Sequence, residues 1–202
     1  MKLYFCPGAC SLSPHIALLE AGLDFTTERV DIRSGQTAGG VVFRTINPKG
    51  YVPALELKDG TVLTEGPAIV QFIADLVPDR QLAPANGTLE RYRLAEWLNF
   101  ISTELHKNFS PLFRPASTEE MKEAARTHLA ERLGWLAGQL EGRDYLMGSQ
   151  FTVADGYLFA VLGWANFVQF DLGQWPVFAA YSQRVGSRPA VQQALRNEGL
   201  LK

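Results

Sequence analysis

The sequence predicts a mixed α/β domain over residues 1–80 joined to an all-α domain over residues 87–202. Three observations carry this. Strand-like and helix-like stretches alternate through the first part. VPDRQLAPANG, at 77–87, combines two prolines with polar residues and a glycine, the composition of a linker. Beyond it strand signals almost vanish.

KLYF, at 2–5, is a short strand candidate. From Ser13 the spacing of Ile16, Leu19 and Leu23 fits a helix that Pro14 opens and Gly22 helps to close. Phe25 to Ile32 reads as a second strand, which completes a βαβ unit with a right-handed crossover and parallel outer strands. Residues 33–51 are Gly-rich and weakly patterned, with room for one irregular helix. VPALELKDGTVL then gives two short strands around Asp59-Gly60, a hairpin signal. Thr64 or Glu65 caps a helix with Ile69, Phe72, Ile73 and Leu76 on one face, stopped near Pro78.

In the second part a long helix is expected from Thr88 to about Leu105. Ser117 to Glu120 reads as a capping box opening another that runs to about Leu140, and Thr152 to Asp155 repeats the device. The helix after it, with Tyr157, Phe159, Leu162 and Trp164, is apolar nearly all round and is expected at the centre of a helical domain. Pro176 and Pro189 open two shorter helices.

Composition narrows the function classes. Of 202 residues 47% are hydrophobic and 20% charged, enough to bury a sizeable core. Lysine plus arginine number 19 against 21 acids, so there is no basic footprint for nucleic acid or an anionic membrane, and neither is expected as a partner. The N-terminus lacks the apolar run of a signal peptide, and YLFAVLGWANFV at 157–168 is too short to span a bilayer. A cytoplasmic location is therefore expected, with Cys6 and Cys10 as reduced thiols.

Cys10 lies between a turn and a helix start in PGACSLSPH, residues 7–15. A thiol there faces unpaired backbone N–H groups and the positive end of the helix dipole, both of which favour thiolate. Cys10 to Ser13 is also CxxS, a redox CxxC with its second thiol replaced by a hydroxyl, suited to mixed disulfides. The alternative is an inert, buried cysteine; the strand-turn-helix placement favours the reactive one. Cys6 reads as strand packing. A metal site from Cys6, Cys10 and His15 would lack a fourth ligand, so none is expected.

Together with that stretch, INPKGYVPAL (46–55), LTEGPAIVQFIAD (63–75), EWLNF (96–100), ELHKNFSPLF (104–113) and FTVADGYLF (151–159) make the chain resemble the cytosolic glutathione transferases, specifically the bacterial beta class, over essentially its whole length. The resemblance implies a thioredoxin-like N-terminal domain, an all-helical C-terminal domain and a homodimer. It implies glutathione as co-substrate with no other cofactor, bound on the first domain, and a small electrophilic co-substrate in an apolar pocket between the two.

The resemblance also assigns roles by position. Val52 would pair its backbone with the cysteinyl part of glutathione, before a cis Pro53. Glu65 would meet the α-amino group and the N–H of Gly66 the γ-glutamyl carboxylate; on residue type alone, Glu65 reads as a helix cap. His106 would lie near the glutathione sulfur and Lys107 near its carboxylates, with Asn99 and Thr103 on roughly the same helical face and supplied by the partner subunit. Cys10 and His106 are the candidate catalytic pair. Asp155 reads as a folding device. Two positions depart from the family pattern: Gly35 stands at a glutathione-binding lysine, with Arg33 nearby, and Tyr51 at the usual glutamine. Conjugation of glutathione to apolar electrophiles is the expected reaction, with disulfide exchange through Cys10. The alternatives are a glutaredoxin-like thiol transferase or peroxidase, and a non-enzymatic ligand-binding relative.

Overall fold

The computed structural model describes residues 1–201. Its contacts divide the chain into two compact units, Met1–Ala83 with the segment from Ser187 onward, and Pro84–Gly186. The first unit is built on β1 (Lys2–Phe5), α1 (Leu12–Ala21), β2 (Thr26–Asp31), β3 (Gln36–Thr37), β4 (Ala54–Glu56), β5 (Val62–Thr64) and α2 (Gly66–Asp75). Among the described residues the strands form one sheet in the order β3-β2-β1-β4-β5. β1 is parallel to β2, as the βαβ reading requires, and antiparallel to β4, which pairs antiparallel with β5. Leu3, Tyr4 and Phe5 of the central strand are buried. The Gly-rich stretch holds the two-residue β3 and a single 3-10 turn at Phe43–Thr45.

Gly22 ends α1 at φ 66°, a left-handed cap that glycine adopts without a Cβ clash. α2 buries Ile69, Val70, Ile73 and Ala74, while Leu76 is exposed. The expected face was thus displaced, because Leu76 falls past the last helical residue.

In the second unit Thr88 accepts the N–H of Arg91 and starts α3 (Leu89–Phe100). The helical path does not stop at Leu105: it widens into a π turn at Ile101–His106 and continues as α4 (Lys107–Phe113) through Pro111. α5 (Glu119–Leu140) is capped one residue later than the sequence suggests, by Thr118, which accepts the Met121 N–H at 3.3 Å. Ser117 Oγ is instead buried without a hydrogen-bond partner among the described residues. α6 (Val153–Phe167) carries the expected capping box and is buried on almost every side. Asp155 accepts the N–H groups of Leu146 and Thr152, both at 2.8 Å, and the Tyr181 hydroxyl at 2.9 Å, the folding role anticipated for it. α7 (Pro176–Gly186) closes this unit.

α8 (Pro189–Asn197) belongs to the first unit by its contacts, not to the helical one in which the sequence reading placed it. The reason is a set of pairings with α1. Arg188 forks onto Glu20 at 2.6 and 2.9 Å, and Glu198, just beyond α8, meets the buried His15 ring at 2.9 Å. Among the described residues, no helix is long and apolar enough to cross a membrane.

Candidate active site

Sheet register gathers the first unit's candidates. Tyr4, Ala54 and Thr64 lie side by side on β1, β4 and β5. β4 runs opposite to its two neighbours. The residues after Phe5, before Ala54 and after Thr64 therefore emerge at one end of the sheet: the Cys6–Cys10 loop, Val52-Pro53, and Glu65-Gly66. The Val52-Pro53 bond is cis.

Cys10 stands two residues before α1, and its Sγ donates to the Val52 carbonyl at 3.5 Å. A thiol can make that weak bond and a thiolate cannot. The Leu12 and Ser13 N–H groups bond to the carbonyls of Ala9 and Cys10 at 3.0 and 3.1 Å. These two donors are thus taken by the turn, which corrects the expectation of unpaired donors here. Ser13 is buried, its Oγ without a hydrogen-bond partner among the described residues. Ser11, not anticipated, ties the loop by accepting the Cys6 N–H at 3.1 Å and donating to the Cys6 carbonyl at 3.2 Å. Glu198 adds a second tie, accepting the Gly8 N–H at 3.0 Å. Cys6 packs against the cluster of Tyr4, Val30, Phe43, Val52 and Ala54, and burial pushes its thiol up, as its packing role implies.

Glu65 occupies the helix-cap position of α2, and its carbonyl accepts from Ala68 and Ile69 at 3.0 and 2.9 Å. Its side chain makes no capping bond, so the simple cap reading fails. The carboxylate instead takes the Lys49 ammonium and, at 2.8 Å, the Tyr51 hydroxyl. Both groups converge on the same oxygen, Oε1. The backbone of Glu65 sits at φ 71°, ψ 113°, strained for a residue with a Cβ. Next to it, Gly66 opens α2, and a Cβ there would lie 3.9 Å from Pro53 Cγ, ordinary contact.

The loop that presents Lys49 and Tyr51 is itself built. Buried Asn47 donates its amide to the Tyr51 carbonyl at 2.7 Å and accepts the Lys49 N–H at 3.2 Å. Arg44 donates to the Pro48 carbonyl at 2.9 Å. Gly50 turns at φ 76°, a left-handed conformation that favours glycine, and the Arg44 guanidinium lies where a Cβ would stand. Gly35 likewise sits at φ 71°, a conformation a lysine would adopt only under strain, and Arg33 is exposed on the same loop.

In the second unit His106 ends the π turn. Its Nδ1 lies 2.7 Å from the Tyr157 hydroxyl, and its ring meets the Trp164 indole edge-on at 4.6 Å. Burial, with the Lys107 ammonium beside it, pushes this imidazole down to about 4, so the ring is neutral at pH 7. A phenol is the better donor of the pair and a neutral imidazole the better acceptor, so Tyr157 donates and the ring carries its proton on Nε2. Sequence reading treated Tyr157 and Trp164 as core, and nothing in their spacing distinguishes them. Asn99, Thr103 and Lys107 are exposed, and Thr103 donates to the Asn99 carbonyl at 3.1 Å. The wider π turn explains why His106 is more buried than these three: it shifts the phase of the helix between Asn99 and His106. Among the described residues no cluster of side chains could hold a metal ion.

Known proteins match this arrangement along the whole chain. Residues 5–76 fit the family model for the glutathione S-transferase N-terminal domain, and residues 100–189 that for the C-terminal domain. The glutathione S-transferase GstA of Escherichia coli O157:H7 is 50% identical over 200 residues, covering 99% of this chain and 100% of that one. A ternary complex of BphK, a bacterial GST, superposes with TM-score 0.98 at 62% identity, over 99% of this chain and 100% of its own. The beta-class glutathione S-transferase of Sphingomonas chungbukensis superposes with TM-score 0.97 at 49% identity over 100% of both chains. With a thioredoxin-like sheet, a helical second unit and full-length identity of this order, the chain belongs to the glutathione S-transferase family, among its bacterial beta-class members.

Proposed function

We propose that this glutathione S-transferase joins the thiolate of glutathione to small, largely apolar electrophiles and also exchanges disulfides through Cys10. The observation that carries the reading is the convergence of Cys10, Val52, Glu65 and Gly66 at one sheet end. The Val52 backbone holds the cysteinyl part of glutathione, which brings its sulfur beside Cys10. Glu65 takes the α-ammonium, and the Gly66 N–H faces the γ-glutamyl carboxylate with the α2 dipole behind it. His106 contributes a neutral Nε2–H donor to the thiolate, Lys107 lies near the carboxylates of the tripeptide, and Asn99 and Thr103 contact it from a partner subunit in a cytoplasmic homodimer.

In conjugation the glutathione thiol gives its proton to solvent, the sulfur forms a C–S bond to the electrophile, and the leaving group departs with the electron pair of its bond to carbon. In exchange the Cys10 thiolate attacks the glutathione sulfur of a mixed disulfide; the S–S bond breaks, the other thiol leaves as its thiolate, and Cys10 keeps the glutathione half in a new disulfide. A second glutathione thiolate then attacks that disulfide, leaves as oxidised glutathione and frees the Cys10 thiolate.

Cys10→Ala separates the two chemistries. We expect exchange with a glutathione mixed disulfide to be abolished, while conjugation to chlorodinitrobenzene keeps a substantial rate, because the attacking sulfur belongs to glutathione. Loss of both activities to the same degree would mean that Cys10 serves the site as a whole. Retention of glutathione binding with neither activity in the wild type would favour a non-enzymatic relative.

A further inference from the structure

We propose that Lys49 and Glu65 form a zwitterion receptor for the α-amino acid head of glutathione, the α-carboxylate pairing with Lys49 while the α-ammonium pairs with Glu65. The inference rests on the glutathione reading above and adds a residue to it.

Two observations carry it. Lys49 already sits on the Glu65 carboxylate, with its Nζ also 3.0 Å from Thr64 Oγ1, so a cation and an anion stand in contact at the sheet end that holds Val52 and Gly66. An α-amino acid head carries the opposite pair, ammonium beside carboxylate. Laid against Lys49 and Glu65 it forms a closed four-charge array in which each charge touches only opposite ones. The second observation is that the pair is held in place before any ligand arrives. Asn47, Arg44 and the left-handed Gly50 fix the loop that carries Lys49, and the Tyr51 hydroxyl holds Glu65 Oε1. Preorganised charges lose less freedom on binding than mobile ones.

The test uses calorimetric affinities of the whole protein for three probes: glutathione, its glycinamide, and γ-aminobutyryl-cysteinyl-glycine. The last two carry the same net charge, but only the glycinamide retains the α-carboxylate. Lys49→Met is expected to weaken glutathione and the glycinamide roughly tenfold, the scale of one charged hydrogen bond, and to leave the γ-aminobutyryl probe nearly unchanged. Lys49→Arg, which keeps the charge, should preserve the discrimination. The opposite pattern would assign Lys49 to the glycine end, and equal losses or none for all three would remove it from recognition; either overturns the inference while the glutathione reading stands. A wild type that binds none of the probes would overturn that reading itself.

Discussion

Glu65 opens α2 with its backbone and leaves the capping to others, and its strained φ, at about 1 to 3 kcal/mol for a residue with a Cβ, is sustained by a carboxylate that Lys49 and Tyr51 share. A helix start normally directs a side chain back onto its own first turn; here that turn stays open toward the sheet end. Gly66 sits at that opening with room for a Cβ. Gly66→Ser is therefore expected to fold normally and to tighten glutathione binding by roughly 2- to 12-fold, the range of one added hydrogen bond of about 0.5–1.5 kcal/mol, read as a Kd by calorimetry. These residues were visible in the sequence as a position and a type. The partner of Glu65 was not, because Lys49 and Tyr51 reach it across a loop whose path depends on the buried Asn47.

At the scale of elements, the Cys10 loop is held from two sides. Ser11 ties it to the end of β1, and Glu198 ties it to the segment after α8, bridging the Gly8 N–H and the buried His15 ring. Removing the carboxylate takes its partner from the buried His15 ring, at about 1–3 kcal/mol, and one acceptor from the half-buried Gly8 N–H. Glu198→Ala should lower the urea midpoint without changing the slope, and Glu198→Gln, which keeps an acceptor of the same shape, should lower it less. If the midpoint stayed unchanged in Glu198→Ala, the tie between α1 and α8 would contribute nothing to stability. Helix order and starts were legible to within a residue or two, since caps, prolines and glycines act locally; the stop expected near Leu105 was not, because the helical path runs on to Phe113. The π turn was not legible either: ISTELH carries no breaker and no residue type that marks the wider turn.

For the whole molecule, the buried His106 links stability to pH. The folded ring is held down to about 4 while an unfolded histidine titrates near 6.5. Between these values the unfolded chain binds the proton and the folded chain does not, so stability present above pH 6.5 is lost as pH falls toward 4, by up to roughly 3 kcal/mol. His106→Asn should remove this part of the slope, so that the stability difference from wild type shrinks between pH 7 and pH 4; urea titrations at both values measure it. A difference independent of pH would place no such titration in the folded state. The linker expected over residues 77–87 and the alternation of strands and helices before it follow from local chemistry alone, because hydrophobic period, turn residues and capping boxes act over a few neighbours. That β1 lies beside β4, that Cys10, Val52 and Glu65 leave the sheet at one end, that Glu198 reaches back to His15, and that Tyr157 meets the His106 ring are decided only in the folded chain. Those pairings join residues from about forty to nearly two hundred positions apart, and only side-chain packing in three dimensions selects them.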